Sequence, residues 1–329
     1  STRVILRQVT MSPTLHRTSR APVAALCSLL LAIIVPSVHG EMPADREHAD
    51  PVIAAAGDIA CDPTHKFFND GKGTSTDCRQ QATSDLLYHI QGLTAVLTLG
   101  DNQYDQYDTG TLSGFLRAYE PSWGQLKHIT HPTIGNHEGS GESYYQYFGS
   151  AAGDPAKGYY SYNLGSWHII ALNTNDRCRF VSCDAASPQL AWLRNDLETN
   201  ATVCTLAYWH YPRYSSGYHG NQPHLSDLWE VLAEHGVDVV LTAHDHHYER
   251  FAPLNANGRS DPGKGIRSFI VGTGGKSLYK LGQLHEASEV RNNDTFGVLT
   301  LTLHPGSYEW SFVPEQGHSF TDKGTGTCH

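Results

Sequence analysis

The sequence contains no CxxC pair, no low-complexity tract and no internal repeat, and it is short of positive charge: 23 Lys plus Arg stand against 33 Asp plus Glu, a formal charge of -10. Without CxxC there is no basis for a zinc ribbon or a thioredoxin-type redox motif. Without low complexity, and with 39% hydrophobic and 17% charged residues in 329, a disordered or fibrous chain is excluded and a large core is affordable. The acidic balance excludes a protein whose affinity rests on a broad basic face, so no stable nucleic-acid binding is expected. Any polyanion would need a local positive site.

Carboxylates are missing altogether from positions 1–40, which hold Arg3, Arg7, Arg17 and Arg20 and then an uncharged, apolar stretch from Ala21 to Gly40. A basic segment followed by an apolar one reads as a secretory signal, with Met11 as a natural start and Gly40 before Glu41 as the cleavage point. The competing reading is a membrane anchor, against which Pro36 and the bare length of the stretch count. As signal or as anchor, the stretch puts the body outside the cytoplasm, secreted or periplasmic, because basic residues precede it and acidic ones follow. After cleavage no membrane contact is expected. The resulting division is 1–40 as upstream segment and signal, 41–50 as a short linker, and 51–329 as one functional domain.

Of the 7 cysteines, loss of Cys27 with the signal leaves an even set: Cys61, Cys78, Cys178, Cys183, Cys204 and Cys328. In an oxidising compartment three disulfides follow. Short loops favour Cys61 with Cys78 and Cys178 with Cys183, leaving Cys204 for Cys328, although six cysteines admit fifteen pairings.

Several short apolar runs end in a polar cluster: Val52 to Ala56, Ala95 to Leu99, Leu206 to Trp209, and Val237 to Leu241. These read as buried strands. Helical patterns lie between them, one led by Ser187-Pro188 into Leu190, Leu193 and Leu197, another through Leu225, Leu228, Trp229 and Leu232 to Gly236. The class is therefore α/β. Later runs at Ile266 to Val271, Phe296 to Leu303 and Tyr308 to Val313 lack intervening helices and suggest a second sheet, giving two mainly mixed sheets packed as a sandwich with flanking helices. In such folds function collects at the carboxyl ends of strands.

The polar clusters fall there: Gly57-Asp58, GDNQY at 100–104, GNHE at 135–138, YWH at 208–210 and AHDHHYER at 243–250. Singly each is weak, since a strand-end Asp is usually a turn or cap and a lone His usually packed. His244 and His246 project to one side if their segment is extended, which suits a metal. Five clusters in an order a sheet can bring to one cleft make the joint metal-site reading strong. His247 points the other way in an extended segment. The aromatic patch Tyr144, Tyr145, Tyr147 and Phe148 reads as core.

Together these residues resemble the five-motif signature of calcineurin-like metallophosphoesterases and, within it, the purple acid phosphatases. The histidine of the DxH first motif is absent, Asp58 being followed by Ile59 and Ala60, and Tyr104, three residues after Asp101, matches the phenolate that replaces it. Tyr248-Glu249-Arg250 and Gly272-Thr273-Gly274-Gly275 are similar to that subgroup as well. Two positions depart from it: Ala60 where Gly is usual, and Ala243 opening the usual GHxH. The resemblance implies Asp58, Tyr104 and His246 on one metal, Asn136, His210 and His244 on a second, and Asp101 bridging both. It implies Fe(III) in the first set; hard carboxylate and phenolate oxygens agree, while two imidazoles and an amide oxygen suit a divalent Zn, Mn or Fe.

The implied activity is a secreted dimetal phosphatase of acid phosphatase type that hydrolyses small phosphomonoesters by in-line attack of a metal-bound hydroxide. The metals' charge exceeds that of Asp58, Asp101 and ionised Tyr104, which explains how an acidic chain would draw an anionic substrate. His137 and His219 match the family's histidines outside the ligand set and are candidates to protonate the leaving group, with Tyr218 and His224 as partial substitutes. The alternatives are a secreted dimetal phosphodiesterase or nucleotidase and, against a filled ligand set, a catalytically dead metal-binding surface protein. Nothing in the sequence specifies an oligomeric partner.

Overall fold

The computed structural model describes residues 49–106 and 110–329. The expected signal at 1–40 and most of the expected linker lie outside the described residues. Each apolar run noted above is a strand, and others join them: β1 (Val52–Ala56), β2 (Leu93–Leu99), β3 (Thr130–Thr133), β4 (Tyr160–Leu164), β5 (Trp167–Ala171), β6 (Cys204–Tyr208), β7 (Val239–Thr242), β8 (Tyr248–Phe251), β9 (Arg267–Val271), β10 (Ser288–Asn292), β11 (Gly297–His304), β12 (Ser307–Pro314) and β13 (Lys323–Thr327). They form a six-stranded sheet in the order β13-β12-β11-β1-β2-β3 and a seven-stranded sheet in the order β10-β8-β9-β7-β6-β5-β4.

The two sheets share one core because strand side chains alternate. Ile53, Leu97 and Leu99 of the first sheet belong to the same buried cluster as Ile169, Leu206, Val239, Leu241 and Val271 of the second. The intervening residues Ile170, Ala207, Val240 and Ile270 face away from it and pack on Leu190, Leu193, Leu228 and Leu232. Those leucines belong to helices Pro188–Thr199 and Ser226–Glu234. The first helix begins as its sequence dictates, Ser187 Oγ accepting the Leu190 N–H at 3.2 Å with Pro188 in the first turn. The second ends before Gly236, whose φ of 66° is left-handed. Tyr144, Tyr147 and Phe148 are buried as expected, and Tyr147 stacks on Phe115 at 4.8 Å.

Sheet membership differs from the sequence reading. The late runs do not build a sheet of their own: β11 pairs antiparallel with β1, Ile53 opposite Leu301, and brings β12 and β13 with it. β9 instead enters the second sheet parallel to β7, Leu241 opposite Phe269. An apolar run states that a segment is a strand; its partner is set by which edge is free when the chain returns.

The three disulfides join Cys61 to Cys78, Cys178 to Cys183 and Cys204 to Cys328. Among the described residues no helix is long and apolar enough to cross a membrane.

Candidate functional site

Within the first sheet β1, β2 and β3 run parallel, and within the second so do β5, β6, β7 and β9. Asp58, Asp101, Asn136, His210 and His244 each follow the carboxyl end of one of these strands by two or three residues. Both sheets therefore deliver their polar clusters to one place. The backbone there is bent hard: Asp58, Asp101 and His244 have φ of 58°, 49° and 66°, the left-handed region that L-residues enter at a cost.

Tyr104 lies at the centre of the first group. Its hydroxyl is 2.8 Å from Asp58 Oδ1, 3.1 Å from Asp101 Oδ2 and 3.0 Å from His246 Nε2. His246 Nδ1 meets Ser277 Oγ at 3.2 Å, and the ring lies flat on Tyr279 at 3.8 Å. In the second group His210 Nε2 is 3.1 Å from Asn136 Oδ1, 3.3 Å from His244 Nδ1 and 3.2 Å from Asp101 Oδ2. His210 Nδ1 donates to the Leu99 carbonyl at 2.8 Å, which fixes Nε2 as the inward atom. Asp101 Oδ2 belongs to both groups.

Each carboxylate is held by its other oxygen. Asp58 Oδ2 accepts the His244 N–H at 2.9 Å, and Asp101 Oδ1 accepts the His137 N–H at 2.8 Å. Glu138, buried in the GNHE cluster, accepts the N–H groups of Asp101, Gln103 and Gly135 and so ties the β2 and β3 loops together. Burial and the Asp101 charge push its pKa up to about 8.

The electrostatics of this cluster test whether metals fit. Burial raises the Tyr104 phenol well above its usual 10, and the Asp101 and Asp58 charges add to it. Burial and His210 press His244 down to about 3, and its buried Nε2 has no hydrogen-bond partner among the described residues. Burial opposes charge on His210, but Asp101 outweighs it and lifts the imidazole to about 9. One phenolic proton cannot serve two carboxylates and an imidazole at 2.8–3.1 Å. Cations among these atoms invert that logic, favouring phenolate and neutral imidazole, so the donor set fits a metal pair.

The two alanine departures are accommodated. Ala60 and Ala243 are fully buried. A Cβ on Gly57 would stand 2.6 Å from the Ala243 Cβ, so space given up at 243 is kept at 57. Gly272 leaves room as well, since a Cβ there would meet Asp58 Oδ2 at 2.8 Å and the Asp245 carbonyl at 2.2 Å.

The His244 to His246 segment is not extended. Asp245 N–H donates to the Ala243 carbonyl at 2.8 Å and His247 N–H to Asp245 at 2.7 Å, so a tight turn, not strand alternation, brings both histidines inward. His247 turns away to Glu249 Oε2 at 3.0 Å. His219 is beside the site: its ring stacks on His244 at 4.4 Å, and its backbone N–H and Nδ1 both reach Asp245 Oδ1, at 2.9 and 3.0 Å. Burial raises the Asp245 carboxyl, but hydrogen bonds from His219 and Ser215 hold it down at about 2. His137 packs on Tyr104 at 4.1 Å, its Nε2 3.8 Å from Asp101 Oδ2. Tyr218 is largely exposed, and His224 stands behind Tyr211 at 6.1 Å.

A cleft of about 570 Å³ opens over Asn136, His219 and His244 and is also lined by Arg177, Arg179 and Phe180. Sequence reasoning gave no role to Asp245, Tyr279 or these arginines. A carboxylate between two candidate ligands was a usable signal for Asp245. For Tyr279 there was none.

The calcineurin-like phosphoesterase family model matches residues 51–248. The Arabidopsis thaliana protein named purple acid phosphatase 18 is 32% identical over 123 residues, 36% of this chain and 26% of its own. Acid phosphatase type 7 of Danio rerio is 30% identical over 189 residues, 48% of this chain and 42% of its own. A purple acid phosphatase from yellow lupin (Lupinus luteus) seeds shares the fold with a TM-score of 0.62 at 17% identity, over 84% of this chain and 53% of its own. The chain thus spans less than half the length of these two curated relatives.

Proposed function

The chain belongs to the calcineurin-like phosphoesterase family, and from that membership and the geometry of the site we propose that it is a secreted, dimetal phosphomonoesterase of the purple acid phosphatase kind. The observation that carries this reading is the convergence of six donor side chains around Asp101, whose Oδ2 meets Tyr104 of one set and His210 of the other. Asp58, Tyr104 and His246 would hold Fe(III), and Asn136, His210 and His244 a divalent Zn, Mn or Fe, with Asp101 shared. When bound, such a pair supplies Lewis acidity toward phosphoryl oxygens and a strongly acidified water.

The remaining work falls to the chain. The cleft admits a small ester with its phosphoryl end toward Asn136 and His244. His219 donates Nδ1–H to Asp245, which leaves its other ring nitrogen to protonate the departing oxygen. His137, packed against Tyr104, shares that task. The three disulfides support a secreted or periplasmic setting for a domain taken as 51–329.

Metal analysis of the purified protein, together with turnover of an alkyl phosphomonoester against a bis-ester, tests the reading. Two metals per chain with monoester turnover in excess are expected. Preference for the bis-ester would make the protein a phosphodiesterase, and absence of turnover at full metal content would make it a binding protein.

A further inference from the structure

The cleft has one wall that the proposed chemistry does not use. It is formed by the turn at Asp176–Cys178, where three consecutive non-glycine residues have φ of 46°, 55° and 64°. Left-handed backbone over three L-residues is unfavourable at each step and persists only where its surroundings impose it. Here they do. Cys178 N–H donates to the Thr174 carbonyl at 3.2 Å, the Asn175 side-chain amide donates to the Gly139 carbonyl at 2.6 Å, and Cys178 is bonded to Cys183.

The turn presents Arg177 to the cleft. Tyr211 places that arginine relative to the site: its ring lies 4.1 Å from the His244 ring. Arg177 and Tyr211 line the same cleft as the candidate ligands Asn136 and His244. Arg179 is paired with Asp176 at 3.2 Å, whereas among the described residues no carboxylate stands within ion-pair distance of Arg177. In a chain of net charge -10, a cation held by a strained turn in the wall of a phosphoester cleft is placed to meet an anion.

We propose that Arg177 receives a second anionic group of the substrate, so that this site prefers phosphate monoesters whose leaving group itself carries a carboxylate or phosphate. The proposal rests on the phosphomonoesterase reading for turnover but not for binding, and the test separates the two. Calorimetry on the metal-loaded protein compares methylphosphonate with phosphonopropanoate, which adds a carboxylate to the same head. Kinetics compare glycerol phosphate with phosphoglycerate for the carboxylate and with glycerol bisphosphate for the phosphate. Wild type is expected to favour the doubly anionic member about ten-fold in both measurements, as one charge-assisted hydrogen-bonded pair provides. The preference should shrink with added salt. Arg177→Asn, neutral and tolerant of the left-handed turn, should remove the preference, and Arg177→Lys should keep part of it. Equal weakening of both members in Arg177→Asn, or no preference in wild type, overturns the proposal. An Arg177-dependent preference in calorimetry without turnover of any ester supports the anion site and sinks the hydrolase reading.

Discussion

Tyr104 makes contacts with Asp58, Asp101 and His246 that a neutral phenol cannot satisfy together, and its chemistry gives the sharpest test at the scale of single residues. A phenolate on ferric iron absorbs visible light by charge transfer, so the oxidised protein is expected to be coloured. Tyr104→Phe should bleach it at unchanged iron content; an unchanged band in that variant would displace Tyr104 from the metal. His219 is tested through the leaving group. His219→Ala should lower kcat on an alkyl phosphate by about 10² to 10⁴-fold and on p-nitrophenyl phosphate far less, because nitrophenolate hardly needs a proton. Asp245→Asn should repeat that leaving-group dependence in milder form, since the amide keeps an acceptor for Nδ1–H but loses the charge. Equal losses on both esters would reduce His219 to a substrate contact.

At the scale of elements, β8 supports the loop that carries His219. Glu249 in this strand accepts the Ser216 N–H at 2.9 Å and the Ser288 hydroxyl, and faces His247 at 3.0 Å. Burial pushes the Glu249 carboxyl up, but hydrogen bonding and attraction from His247, with the Ser216 and Ser288 bonds, outweigh it and hold the pKa below the usual 4.5. A depressed folded-state pKa stabilises the protein above the unfolded value, and that contribution is lost as pH falls through the folded value. Glu249→Gln is thus expected to cost most near about pH 7 and less near about pH 3.5, by urea unfolding. The same cost at both would show that charge on Glu249 is not involved.

At the scale of the whole molecule, the Cys204–Cys328 bond is the long staple. Cys204 opens β6 in the seven-stranded sheet, and Cys328 follows β13 at the edge of the six-stranded one, with a sequence separation of 124. The bond therefore joins the two layers whose facing sides form the core. In the chain-entropy account a loop of this length contributes about 4 to 5 kcal/mol, with engineered cases often giving less. Cys204→Ala with Cys328→Ala should lower the denaturation midpoint correspondingly. A midpoint within error of wild type would show that interlayer packing alone holds the sheets, and free thiols in the untreated protein would remove the bond itself.

The candidate ligand residues and the α/β class were legible because both are local. Apolar runs of strand length ending in Asp58, Asp101, His210 and His244 state what each segment is and which end is functional. The Ser187-Pro188 helix start and the short disulfide loops were local in the same way. What the sequence could not determine was relation across the molecule. That β11 returns to pair with β1, that a tight turn rather than an extended strand aims His244 and His246, and that Tyr279 lies on His246 all depend on segments far apart in the chain or on left-handed backbone at particular residues. The Arg177 wall shows the same division: its charge is written in the sequence, but its place beside Tyr211 and His244 exists only once both sheets have closed on a common core.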